Sequence, residues 1–160
     1  MSKELIILSA LPAAGKSTYA RSWVSEAPES RRSINYDSLR LEMFGESWKF
    51  NFADETLMKQ EADKRAKAYL TSGKSLIIDN TNLTPRARNH WKQIGQTFGA
   101  EVIEMDLDTP IRICVERDRK RVGIERVGQA VIDRMALTTG WIDWADTEIY
   151  PKQQFVLFDL

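Results

Sequence analysis

The chain has one cysteine and one histidine among its 160 residues. A single Cys114 excludes an intrachain disulfide and fits a reducing, cytoplasmic setting. It sits in an apolar run with Ile111, Ile113 and Val115, so it reads as a buried structural thiol and not as a nucleophile. A single His90, beside Trp91, excludes a histidine-built metal centre, because such centres need several ligands together. An excess of one charge is also missing: 23 Lys and Arg face 23 Asp and Glu. The chain as a whole is therefore not polybasic, and any contact with nucleic acid must come from a local patch. No apolar run approaches the roughly 20 residues of a membrane span. The run Leu5 to Ser9 leads at once into a Gly-Lys-Ser loop and reads as a first strand, not as a signal peptide. Internal repeats and low-complexity linkers are absent as well.

What is present suits one globular domain covering 1–160, with 42% apolar and 29% charged residues. Short β-branched runs alternate with longer amphipathic stretches, which predicts an α/β fold around a parallel sheet flanked by helices. Strands are expected at Leu5–Ser9, Ser33–Tyr36, Ser75–Asp79, Glu101–Asp106 and Phe155–Phe158. Helices are expected from the Gly-Lys-Ser loop to about Ser25, then over Ser38–Phe44, Asp54–Thr71, Pro85 to the stop at Gly99, Pro110 to about Lys120, and Gln129–Thr139. Of the five tryptophans, Trp23 and Trp91 fall on inner faces. Trp48, Trp141 and Trp144 lie in or near loops, where packing or stacking on a base are the alternatives.

The strongest motif is Ala10-Leu11-Pro12-Ala13-Ala14-Gly15-Lys16-Ser17. It matches GxxxxGK[ST] except that Ala10 stands at the first glycine, and it lies between an apolar strand and a helix, as a P-loop should. Backbone N–H groups of Ala13, Ala14, Gly15, Lys16, Ser17 and Thr18 would face the phosphates of ATP, where the helix dipole favours negative charge. Lys16 adds a point cation for the β and γ oxygens, and the Ser17 hydroxyl suits Mg²⁺. Ala10 gives up some backbone freedom but removes no donor.

Three further segments carry chemistry. Asp37 follows the second strand, where ligands of open α/β sheets bind. It reads either as a general base for an attacking hydroxyl or as an ordinary helix N-cap. Arg40, three residues on, could hold an acceptor phosphate. Asp79 closes an apolar strand in the Walker B manner, an indirect Mg²⁺ contact, with Asn80, Thr81 and Asn82 beside it. The alternative is a polar turn leading to an N-cap at Thr84 before Pro85. The basic run Arg112, Arg117, Arg119, Lys120, Arg121 and Arg126 reads as a lid over the phosphates or as a solvated helix face, given Glu116, Asp118 and Glu125 among them.

Taken together, AGKST, INYDSLR, IIDNTNLTPRAR and RDRKR…VIDRM resemble the kinase domain of phage-type 5′-polynucleotide kinases, members of the P-loop kinase superfamily often fused to a phosphatase. The resemblance runs in order through nearly the whole chain. It implies a P-loop kinase fold with a helical lid, and ATP- and Mg²⁺-dependent phosphoryl transfer to 5′-hydroxyl ends of single-stranded or end-exposed RNA or DNA, in nucleic-acid repair. It makes Lys16, Asp37, Arg40 and Arg121 catalytic, with Asp37 the base, and puts Arg117 and Arg121 on ATP. Asp37, Arg40, Asn80, Thr81, Asn82 and Arg88 are then on the substrate. The family's aspartate directly before Thr-Asn is Asn80 here, with the carboxylate one place earlier at Asp79. Residues 155–160 resemble the opening strand of a haloacid-dehalogenase phosphatase, so they read either as that or as the last strand of the kinase sheet. The implied partner is a nucleic-acid end, with no membrane and with room for a homo-oligomer. Two rival readings are a small-molecule kinase acting on a nucleoside, sugar or sugar acid, and a P-loop regulatory module that only hydrolyses nucleotide.

Overall fold

The computed structural model describes residues 2–139. Within them the order is β1 Glu4–Ser9, α1 Lys16–Glu26, β2 Arg31–Ile34, α2 Tyr36–Phe44, α3 Phe52–Thr71, β3 Ser75–Ile78, α4 Pro85–Thr97, β4 Glu101–Asp106, α5 Ile111–Arg119 and α6 Gln129–Thr139, with a 3₁₀ turn at Gly123–Glu125. The four strands are all parallel, in the order β2-β3-β1-β4. The expected strand Phe155–Phe158, Trp141 and Trp144 lie outside the described residues. No helix among the described residues is long and apolar enough to cross a membrane.

The apolar run of β1 is buried on both sides because the sheet is covered on both faces. Leu5 and Ile7 join Leu76 and Ile78 against Met58, Ala62, Ala66 and Leu70 of α3 and Trp91 and Ile94 of α4. Ile6 and Leu8 point the other way, to Ala20 and Trp23 of α1. A third apolar cluster joins the start of the glycine-poor loop, Ala10, Leu11 and Ala14, to Ile111, Cys114 and Val115 of α5 and Ile132 and Ala136 of α6. Cys114 is buried there, as its apolar neighbours imply.

β1 and β3 are neighbours with Ile7 opposite Ile78. The segments that follow them, Ala10–Ser17 and Asp79–Asn82, therefore leave the sheet side by side. β2 pairs on the far side of β3 with Ile34 opposite Ile78, which brings the start of α2 to the same edge. β2 ends two residues earlier than its sequence pattern suggests. The reason is Asn35, whose side-chain oxygen accepts from the Ser38 N–H at 2.8 Å and starts α2 at Tyr36.

Candidate active site

The loop between β1 and α1 has two residues with left-handed backbone, Ala13 at φ 63° and Gly15 at φ 103°. Ala10 is not among them. The freedom of glycine is unused at the first motif position, so alanine fits there and is fully buried. Gly15 uses that freedom as the N-cap of α1, which has no side-chain cap. The first-turn N–H groups are thus left for an anion. The loop carbonyls are tied back by other groups. Lys16 Nζ donates to Leu11 O at 3.0 Å, Thr109 Oγ1 to Ala14 O at 2.8 Å, and Arg117 Nη1 to Ala13 O at 3.5 Å. The backbone of the adjoining loop is tied in too, with Ala10 N donating to Thr81 O at 3.0 Å.

Asp79 sits just beyond β3 and is only 5% exposed. Its Oδ2 accepts from Asn35 Nδ2 at 3.1 Å, while Oδ1 is buried with no partner. Burial raises its carboxyl pKa, and the neighbouring Ser17 hydroxyl and the Lys16 ammonium oppose that rise. Lys16 responds in mirror image. Burial lowers its pKa, Asp79 opposes the shift, Arg121 adds to it, and Asp37 opposes it. One electrostatic field therefore links Lys16, Asp79, Arg121 and Asp37. Asn80 is placed differently from Asp79: its Oδ1 accepts from the Tyr36 N–H at 2.9 Å, which locks β3 to the start of α2.

Asp37 is in the first turn of α2, and the cap is Asn35, so the expectation of Asp37 as N-cap does not hold. Its side chain is 89% exposed. Its one ion pair among the described residues is to Arg40 Nη1, at 2.7 Å. Arg40 is in turn held by Glu55 of α3, Nε to Oε2 at 2.9 Å and Nη2 to Oε1 at 2.6 Å. This two-pronged grip fixes the guanidinium plane, and the Glu55 hydrogen bond is the main cause of the raised Arg40 pKa. Glu55 was invisible in the sequence, because no spacing rule connects positions 15 residues apart on two helices.

Two residues expected on the substrate also hold the backbone of this loop. Asn82 is buried, with φ 44°, and its amide donates to Leu8 O at 2.7 Å. The side chain spans from one strand end to its neighbour. Arg88 Nη1 donates to Asn82 O at 3.0 Å and Leu83 O at 2.8 Å. Both therefore shape the loop after β3. Thr81, just before Asn82, is half-buried.

The basic segment lies beside the loop and has an internal anchor. Arg117 lies over the loop, its Nη1 3.8 Å from where a Cβ on Gly15 would stand. Arg121 follows, with Nη1 on Glu125 O at 3.3 Å. Asp118 is not part of a solvated face. It is 1% exposed, and its two oxygens accept from Val127 N at 3.0 Å and Gly128 N at 2.9 Å. This carboxylate clamps the end of α5 to the start of α6.

The family profile for the AAA domain matches residues 5–139. The chain belongs to the AAA domain family. This AAA domain is 26% identical over 133 residues to a protein of Autographa californica nuclear polyhedrosis virus that carries the name bifunctional polynucleotide kinase/RNA ligase, a match spanning 75% of this chain and 18% of that protein. It superposes on a chain of the Pnkp1/Rnl/Hen1 RNA repair complex with a TM-score of 0.68 at 25% identity, over 92% of this chain and 46% of that one. The APS kinase of Mycobacterium tuberculosis, solved with AMPPNP and APS, shares the fold at a TM-score of 0.58 and 20% identity, over 74% of this chain and 70% of that one. The chain thus spans less than half the length of the first two. These likenesses set the chain among P-loop domains of kinase type, two of them from proteins whose names carry polynucleotide kinase or RNA repair.

Proposed function

We propose that this domain is an ATP-dependent polynucleotide 5′-hydroxyl kinase, transferring the γ-phosphoryl of ATP to a 5′-OH end of RNA or DNA during strand repair. The observation that carries the reading is the exposed Asp37 carboxylate, held by an ion pair to Arg40 that Glu55 grips in turn. Such a carboxylate suits a base acting on an acceptor hydroxyl, which a simple nucleotide binder would not need. The names of the viral relative and of the repair complex support the acceptor class.

Triphosphate lies along the N–H groups of Ala13 to Thr18, with Lys16 on the β and γ oxygens. The 5′ hydroxyl approaches in line from the α2 side. A new bond forms from its oxygen to the γ-phosphorus as the bond from that phosphorus to the β–γ bridging oxygen breaks. The hydroxyl proton passes to Asp37, and ADP leaves. Lys16, Arg117 and Arg121 stabilise the spread charge. Arg40 holds Asp37 in place and turns its remaining N–H groups toward the acceptor phosphate. A hydrated Mg²⁺ fits beside Ser17, because the buried Asp79 Oδ1 otherwise lacks a partner. Among the described residues no three metal-ligating side chains cluster, as expected for a cation held mainly by phosphates and water. When bound, it supplies positive charge at the β and γ oxygens.

The test is transfer of labelled γ-phosphate to a short 5′-hydroxyl oligonucleotide. Asp37→Asn is expected to lose roughly 10²–10⁴-fold in kcat, with ATP affinity kept within about twofold. Turnover of a small alcohol with none on the oligonucleotide would overturn the reading, as would full activity of Asp37→Asn.

A further inference from the structure

The segment between α2 and α3 exposes an unusual amount of aromatic surface: Phe50 is 61% and Phe52 82% exposed. Four rings follow one another across it. Phe44 stacks on Trp48 with centroids 5.6 Å apart, Trp48 meets Phe50 edge-on at 6.2 Å, and Phe50 meets Phe52 edge-on at 5.2 Å. Trp48 and Phe50 lie in the stretch outside any helix or strand, and Phe52 opens α3 directly after its extended N-cap Asn51, φ −148° and ψ 150°. The centroid distances put each ring in contact with the next. The stretch is pinned at its base. Trp48 Nε1 donates to Asp54 Oδ2 at 2.9 Å, Asn51 Nδ2 to the same oxygen at 2.7 Å, and Asn51 Oδ1 accepts from Asp54 N at 2.9 Å. The backbone that carries Phe50 and Phe52 is therefore fixed at both ends, which lowers the ordering cost of using them.

Their position matters more than their exposure. Phe52 is three residues before Glu55 on α3, and Phe44 four residues after Arg40 on α2, so each shares a helix face with one member of the Arg40–Glu55 pair. That pair holds Asp37. The aromatic ladder thus runs from one side of the acceptor-side ion pair to the other. Exposed Lys49 lies within the segment, and exposed Lys59 one turn beyond Glu55.

We propose that Phe50 and Phe52 form a stacking platform for the unpaired bases that follow the 5′ nucleotide of an acceptor strand. The proposal rests on the polynucleotide reading of the acceptor site and deepens it. Stacking tolerates any base, because every base has a π face. The platform therefore selects single-stranded ends without reading sequence.

The experiment compares wild type with the double variant F50A/F52A on three acceptors: a 5′-hydroxyl decamer, the same decamer with abasic second to fourth positions, and a nucleoside 3′-monophosphate. Both rings are exposed, so the fold is expected to tolerate their loss. The expected result is a decamer KM raised about 5- to 150-fold per stacked base lost, with kcat and the KM for ATP within about twofold. The abasic decamer and the mononucleotide are expected to show no difference between the two proteins. An unchanged decamer KM overturns the platform. So does an equal loss on normal and abasic decamers. A variant whose only change is weaker self-association, by sedimentation, shows the patch to be a protein interface and overturns it too. If no oligonucleotide is phosphorylated by wild type, the kinase reading fails. The platform is then judged by anisotropy binding of a labelled 5′-phosphorylated decamer to the same two proteins, where equal affinities sink it.

Discussion

Replacing Asp118 by asparagine probes the lid with almost no change of shape. The wild-type carboxylate is buried and receives two backbone N–H groups, from Val127 at 3.0 Å and Gly128 at 2.9 Å. Asparagine keeps one acceptor oxygen, and its NH₂ must face the other N–H donor. One bond to a charged group is lost, worth about 1.5–3 kcal/mol, and a buried donor is stranded at about 1–3 kcal/mol. Partial relaxation brings the expected cost to roughly 2–4 kcal/mol, because the two contributions describe one bond. For a domain of this size that lowers Tm by about 5–15 °C. The clamp also sets the span that carries Arg121, so the KM for ATP is expected to rise severalfold, roughly 3- to 10-fold if the lost order costs about 1 kcal/mol. Thermal melts and ATP titrations on wild type, Asp118→Asn and the exposed control Glu116→Gln measure both effects. The control should melt within about 2 °C of wild type, since surface changes stay near 0.5 kcal/mol. A melt of Asp118→Asn equally close to wild type would refute the clamp. A large drop in Tm with unchanged KM would separate the clamp from the placement of Arg121.

Three further outcomes follow from other parts of the structure. Glu55→Gln weakens the two-pronged hold on Arg40, so kcat for an oligonucleotide acceptor should fall about tenfold while ATP binding is kept; unchanged kcat would show that Asp37 needs no such support. Gly95→Ala puts a Cβ 2.6 Å from Val102 Cγ2 and 3.4 Å from Leu5, costing about 1–3 kcal/mol by overpacking; adding Val102→Ala should recover part of it, and urea melts showing no recovery would refute the contact. Tyr36 has its pKa raised to about 12, first by burial and then by Asp63 and Glu55. A raised acid keeps its full contribution below its ordinary pKa, and that contribution is lost as pH climbs through the folded value. Wild-type stability should therefore fall by roughly 2 kcal/mol between about pH 10 and 12, a slope that Tyr36→Phe flattens in urea titrations at high pH.

The sequence by itself determined the frame. The apolar run of β1, the Gly15-Lys16-Ser17 turn and the strand–helix alternation fix a parallel sheet with a phosphate loop, because burial on two faces and an uncapped helix start leave few alternatives. It also marked Asp37, Asp79 and the lid arginines, since each follows a strand or opens onto the loop. It did not decide what those residues touch. Asn35 is a legible cap three residues before Ser38, yet Asp37 two residues on drew the same reading, and only the fold shows which side chain caps the helix. The strand order β2-β3-β1-β4 set Asp79 beside Ser17 and Lys16 and sent Asn80 to the Tyr36 N–H. Asn82 and Arg88 look like free polar groups in the chain but also donate to backbone carbonyls, and Asp118 looks solvated but is a clamp. Glu55 reaches Arg40 only because α2 and α3 pack together. Periodicity encodes which face of an element is buried; it carries no record of partners that lie on other elements, and those partners decide how the site is held.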